Sequence, residues 1–302
     1  MKSLLLAVCA AGLVCAGDSS RYTEDFHYSY PQSAGGRLVL ENFNGSVEVT
    51  GWDQNTVDVT GTKYAETRDL LNAIRIEATN SANEVRIKTV KPNVRHGNMG
   101  AKYVIRVPRR TELERVSSSN GSMRIEDVEG NSRLNTSNGS LRLTRVRGNI
   151  EAASSNGAVE VNDADGSLSL RTSNGSVHAE HVVGDLEAET SNGAIHVHLS
   201  DTQSSRPIRL STSNGSVELQ MDSPRQNDII ASTSNGGITV RMPGSVSADL
   251  HAATSSTGSI HSDFDILTRG MLSKHRLDGK IGGGGPRYEL TTSNGSIRLM
   301  KM

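Results

Sequence analysis

The 302 residues are 34% hydrophobic, 22% charged and only 3% aromatic, and 32 Lys and Arg nearly cancel 33 Asp and Glu. A formal net charge of −1 supplies no basic face of the kind nucleic acid requires. The length allows one or two domains, and so few aromatics leave a thin core to be built from Val, Ile, Leu and Ala.

The chain opens with Lys2, an apolar run from Leu4 to Val14, and then Val14-Cys15-Ala16. That order reads as an export signal over residues 1–16, too short to stay in a bilayer as a span. Cleavage after Ala16 removes Cys9 and Cys15, so the mature chain from Gly17 has neither disulfide nor thiol chemistry. Lipidation of Cys15 is the alternative start, although Gly12-Leu13-Val14 fits a lipoprotein signal poorly. No later stretch approaches the ~18 apolar residues of a membrane span. The expected location is beyond the cytoplasm: periplasm, outer surface or medium.

Residues 36–60 form one coil, with Leu38 to Leu40, the corner Asn44-Gly45-Ser46, then Val47-Glu48-Val49 and Val57-Asp58-Val59. Residues 61–110 differ. Leu70, Leu71 and Ile74 predict a short helix over 67–74, residues 74–78, 85–89 and 103–107 alternate as strands, and 92–100 reads as a loop. Residues 17–110 are therefore expected to be an N-terminal coil and an irregular β cap, because an open end of stacked strands exposes unpaired edges.

Beyond this the chain is periodic. The corner recurs as Asn120-Gly121, Asn138-Gly139, Asn156-Gly157, Asn174-Gly175, Asn192-Gly193, Asn214-Gly215, Asn235-Gly236 and Asn294-Gly295, with Thr257-Gly258 in its place once. The step is 18 residues four times, then 22, 21, 22 and 37. Two positions after each glycine stand Val47, Met123, Leu141, Val159, Val177, Ile195, Val217, Ile238, Ile260 and Ile297. All are apolar, with chance odds on the order of one in 10⁴–10⁵. Four positions after, apolar residues recur except at Ser262, and polar residues fill the place between. That alternation is a half-buried strand. A second strand precedes each glycine, as in Leu168 with Leu170 and Leu186 with Ala188, and corners such as Ala164 to Gly166 separate the two.

Such a unit needs a copy above and below to bury its apolar face. Antiparallel hairpins are one closure, since Asn-Gly is a hairpin turn. A parallel solenoid is preferred, because identical residues at identical register are what stacking selects. It would place equivalent residues ~4.8 Å apart, with Asn and Gly left-handed in every corner and stacked Asn amides bonded as a ladder. Asp127, Arg145, Asp163 and His181, six residues after successive glycines, alternate in charge as neighbouring coils would favour. The expected fold is all-β, a single-stranded parallel β-solenoid (β-helix) of about ten coils. Residues 111–302 form its repetitive part with an insertion at 262–287, and Gly282 to Gly285 form a loose loop. Residues 17–302 are expected to be one continuous domain.

Leu38 to Trp52, Val107-Pro108 leading into 116–130, the Thr-Ser-Asn-Gly-Ser units, and Leu277 to Gly285 followed by Tyr288 to Leu299 together resemble the bacterial putative-adhesin β-solenoid family. The resemblance spans roughly residues 36–301 and implies an exported, repetitive β protein with a role in adhesion and no catalytic residues to carry over.

Among candidate sites, the Asn and Ser of the corners are read as turn chemistry in place of sugar ligands. His178 and His196 share one outward register, and His198 and Glu180 the next. Imidazoles stacked with a carboxylate nearby are the weak candidates for Zn²⁺ or Cu²⁺; a solvated polar face that is rich in histidine is the preferred reading, and no metal or other cofactor is assigned. Asp163 with Asp165, and Asp263 with Asp265, are acidic pairs without a basic partner or an aromatic platform. A row of Thr136, Thr172, Thr190, Thr212 and Thr233 suggests an ice-binding face, which uneven steps after Gly193 spoil. The expected function is non-catalytic: an adhesin or envelope scaffold offering side-chain ladders to an unknown macromolecule, a protein or glycan of the envelope or of a surface. A polysaccharide lyase or glycoside hydrolase on a parallel β-helix is the alternative.

Overall fold

The computed structural model describes residues 22–81, 83–94, 97–255, 258–268 and 273–302. The expected signal segment 1–16, with both cysteines, lies outside them, as does Thr257. Apart from one short helix, the regular structure of these residues is all β. The chain divides into two compact units, residues 1–142 and 143–302.

In the first unit β1 (Tyr22–Pro31), β2 (Gly36–Asn44), β3 (Val47–Trp52) and β4 (Thr56–Ala65) lead into α1 (Arg68–Ala73). Then come β5 (Arg75–Ser81), β6 (Glu84–Val90), β7 (Met99–Pro108), β8 (Thr111–Asn120), β9 (Met123–Glu126) and β10 (Ser132–Thr136). The helix starts where the Thr67 hydroxyl accepts the Leu70 N–H at 3.2 Å and stops where Ile74 turns extended. Six residues cannot hold a helix unaided; Leu71 packs with Ala65, Ile74 and Met99.

The strands of this unit stack in parallel, but not in chain order. β2 lies between β6 and β8, so Leu38 stands between Val85 and Leu113. Likewise β3 lies between β7 and β9, with Val47 between Tyr103 and Met123. The first coil of the sequence is thus flanked by two later ones. Residues 84–108, expected as an irregular cap, supply a full strand pair to the stack. Antiparallel strands cover them: β5 on β6, β4 on β7, and β1 on β4.

The second unit opens with β11 (Leu141–Ser154), β12 (Val159–Thr172), β13 (Val177–Thr190), β14 (Ile195–Asp201), β15 (Ile208–Thr212) and β16 (Val217–Met221). It continues with β17 (Ile229–Thr233), β18 (Ile238–Met242), β19 (Ala248–Ala253), β20 (Ile260–Ser262), β21 (Ile266–Thr268), β22 (Arg276–Ile281), β23 (Arg287–Thr292) and β24 (Ile297–Lys301). β12 and β13 run parallel from Val159 opposite Val177 to Thr172 opposite Thr190. The apolar positions face in: Val159, Val177, Ile195, Val217, Ile238 and Ile297 are all fully buried.

At the far end of this unit the order again breaks. β23 sits between β17 and β19, and β24 between β18 and β20. Tyr288 therefore separates Ile229 from Leu250. The stretch expected as an insertion at 262–287 carries β21 and β22, antiparallel to each other, with β22 also antiparallel to β19. Gly282 to Gly285 make the turn from β22 into β23.

One expectation about the corners needs correcting. Among the Asn-Gly glycines only Gly45 is left-handed, with φ 115°. The left-handed residues occupy the other corner: Asp127, Arg145, Asp163 and His181, with φ between 52° and 58°. Glycine is needed after Asn for closeness instead. A Cβ on Gly193 would overlap the carbonyl oxygen of Gly175, and one on Gly215 that of Gly193. The threonine row also faces inward, because Thr136, Thr172, Thr190, Thr212 and Thr233 are buried. Each hydroxyl donates to the glycine carbonyl of the preceding coil, as Thr190 does to Gly175 at 2.8 Å and Thr212 to Gly193 at 2.9 Å. No threonine lattice faces solvent there.

Candidate functional site

Six corners hold their asparagine in the same way, whereas Asn44 donates to the Met99 carbonyl at 2.8 Å. In the first unit Asn138 Nδ2 donates to Asn120 Oδ1 at 2.7 Å. In the second, Asn174, Asn192, Asn214, Asn235 and Asn294 each donate to the asparagine oxygen of the coil before in the stack, at 2.8–2.9 Å, beginning at Asn156. The backbone N–H of each also bonds to a serine carbonyl of that coil, as Asn192 does to Ser173 at 2.9 Å. A primary amide has two donors and one acceptor oxygen, so an identical residue at every step can continue the chain of bonds without interruption.

With the interior fixed, the outward side chains fall into straight rows. On β12, β13, β14 and β16 the first row reads Glu160, His178, His196, Glu218. In the next row Asn162 stands opposite Glu180, and His198 opposite Gln220. The four candidates His178, Glu180, His196 and His198 come together on this face. Glu180 binds both neighbours, His178 Nε2 at 3.1 Å and His198 Nδ1 at 3.3 Å. His196 Nδ1 lies 3.5 Å from Glu218, which lies 3.6 Å from Arg241. The rings of His178 and His196 have centroids 6.1 Å apart.

Three members of the group were not singled out from the sequence as part of it. Asp222 contacts His198 Nε2 at 2.7 Å. His181 lays its ring 5.4 Å from that of His198 and lies 3.6 Å from Asp163. Its left-handed backbone brings it there, and only the step of 18 from Asp163 to His181 hinted at the neighbourhood. Chemically, His198 faces a carboxylate oxygen at each nitrogen. A neutral imidazole donates once, and only the imidazolium donates to both. Among the described residues no three His, Cys, Asp or Glu side chains are disposed to hold a metal ion.

Of the acidic pairs, Asp163 joins this group through His181, while Asp165 and Asp263 take other partners. Asp165 accepts from Gln203 at 2.5 Å, and Asp263 from the backbone of Lys301 at 3.2 Å. Trp52 is tied down by its own contacts, donating to the Thr56 carbonyl at 2.8 Å with the Arg106 guanidinium over its ring. Among the described residues no helix is long and apolar enough to cross a membrane.

These features define an all-β repeat protein whose corners are bonded from coil to coil and whose outward rows vary. The chain belongs to the Toastrack DUF4097 family, whose model matches residues 37–234. No curated protein matches it. Solved structures similar to it include a putative cell adhesion protein from Clostridium sporogenes, 10% identical, covering 93% of this chain and 100% of that one with a TM-score of 0.25. A putative adhesin from Bacteroides fragilis is 13% identical over 93% and 99%, TM-score 0.29. A putative lipid binding protein from Parabacteroides distasonis is 13% identical over 93% and 98%, TM-score 0.35.

Proposed function

We propose that the protein is an exported, non-catalytic β-solenoid of about ten coils that offers its outward rows to a macromolecule, in adhesion or in organising the cell envelope. The resemblance of its repeats to the putative-adhesin β-solenoid family supports the adhesive role. The observation that carries it is the separation of tasks along each coil. Inward Val and Ile, the threonine hydroxyls and the asparagine ladder repeat almost unchanged, whereas the outward place between two buried residues reads Glu160, His178, His196, Glu218, Thr239 and Arg298. A repeated frame with a variable outer row suits recognition by many small contacts over an extended face, which needs no enclosed cleft. Export rests on the apolar segment before Ala16.

The test begins with location. Protease added to intact cells of the native host should remove the protein if it works at the surface, and binding to host cells or surface glycans should then be lost in a His178→Ala, His196→Ala double variant. Protection until the outer membrane is opened would assign it to the periplasm and to envelope organisation. Turnover of a polysaccharide by the purified chain, abolished in Asp163→Asn or Asp263→Asn, would replace the reading with an enzyme.

A further inference from the structure

The corner after β14 is built differently from those before it. Gly193 and Gly215 are 22 residues apart in place of 18, and the extra residues stand up as a wall. Buried Asn227 pins it from behind, accepting from Thr202 Oγ1 at 2.7 Å and donating to the carbonyls of Ser204 at 2.6 Å and Arg206 at 2.9 Å. Arg225 grips Asp201 with two bonds of 2.8 and 2.6 Å. In front, Ser204 Oγ reaches Asp185 at 2.5 Å.

Against this wall the outer surface dips. Ser167 and Ser169 on β12 stand in register with Asp185 and Glu187 on β13, and the small side chains leave a trough of about 620 Å³. That is within the range of ligand sites. Its groups are unequally occupied. Asp185 is held by Ser167 at 3.2 Å, by Ser204 and by Arg206 at 3.8 Å, and Glu187 by Arg171 at 3.0 Å. Arg209, in register with Glu187, is exposed and lines the trough. The Ser169 hydroxyl is shielded from solvent and has no hydrogen-bond partner within the protein.

We propose that this trough binds a short stretch of a neutral, hydroxyl-rich glycan. Carboxylates at Glu151, Asp185 and Glu187 stand beside guanidinium groups at Arg206 and Arg209. A sugar hydroxyl can donate to the first kind and accept from the second. An acidic polymer would meet three carboxylates, and an apolar ligand would meet polar walls. This rests on the adhesive reading above and gives it a site and a ligand class.

The test uses the full exported chain and saturation-transfer NMR with maltotriose, laminaritriose and chitotriose, and with trigalacturonate as the acidic counterpart. At least one neutral trisaccharide should show transfer. Ser169→Trp, which fills the trough, should abolish it, and Arg209→Ala should weaken binding on the order of tenfold. Arg75→Ala, an arginine of the first unit, should change nothing. Neutral-sugar binding that survives both trough variants would overturn the site and leave the adhesive reading standing. Preference for trigalacturonate would overturn the ligand class. Absence of any sugar signal from a protein that still binds cells would overturn the trough alone; absence of both would remove the adhesive reading with it. Should Ser169→Trp fail to fold, Arg209→Ala decides.

Discussion

Threonine before Ser-Asn-Gly does two things at once: its methyl joins the core and its hydroxyl serves a carbonyl that the glycine stack would otherwise leave buried and bare. Thr190→Val keeps the shape and removes the donor to Gly175, so urea unfolding should show a loss of about 1–3 kcal/mol. Glycine substitutions should divide sharply by corner. Gly193→Ala forces a Cβ into the Gly175 carbonyl and should cost about 2–3 kcal/mol. Asp163→Gly, where φ is 57°, relieves a left-handed backbone and should stay within about 1 kcal/mol of the native chain. Burial pushes the Tyr288 phenol up to about 12. The folded state thus keeps its proton where the unfolded chain, near the ordinary 10.0, has lost it. Its contribution to stability is whole below about pH 10 and disappears as pH rises towards 12. Absorbance titration should show this tyrosine ionising late, and an ordinary titration near 10 would contradict its burial.

At the scale of the strand, facing direction governs everything. Val177 is fully buried, and His178, its neighbour, is exposed. Val177→Asp should cost more than about 3 kcal/mol by burying an unpaired charge, whereas His178→Asp should fall within about 0.5 kcal/mol; equal losses in chemical denaturation would refute the register. That alternation was legible in the sequence because period two leaves a direct trace in hydropathy, and so was the short helix, expected over 67–74 and found at Arg68–Ala73. Corner conformation was not. Asn-Gly is the usual signature of a left-handed turn, but here close stacking selects the same glycine for a different reason, and the bend falls on Asp163 and His181, whose side chains announce nothing of it. The histidine face was half legible: one register joins His178 to His196, but Asp222 and His181 arrive by way of corners whose geometry the spacing does not encode. The trough was invisible, since small serines matter there for the volume they leave empty.

In each unit taken by itself, chain order and stacking order part company at one end. β23 and β24 are the last strands made, yet each is held between two earlier ones. A linear repeat count has no means of showing this, which is why 262–287 reads as an insertion. Leu290 stands opposite Ala231 on one side and Ala252 on the other. Leu290→Asp should therefore speed hydrogen exchange in 229–233 and 248–253 together. Protection lost from only one of the two segments would contradict the interleaving.

That interleaving also limits how a gene for such a protein can lengthen. An in-frame duplication of one 18-residue step between Gly121 and Gly193 returns the copy to the same facing and the same corner, ready to stack. Copying the stretch that begins at β19 does not, because the strands that must lie between its halves and their neighbours are encoded downstream of it. Tandem gain and loss should therefore collect in the middle of the gene, with both ends held constant, and the family should vary in length chiefly by whole steps there.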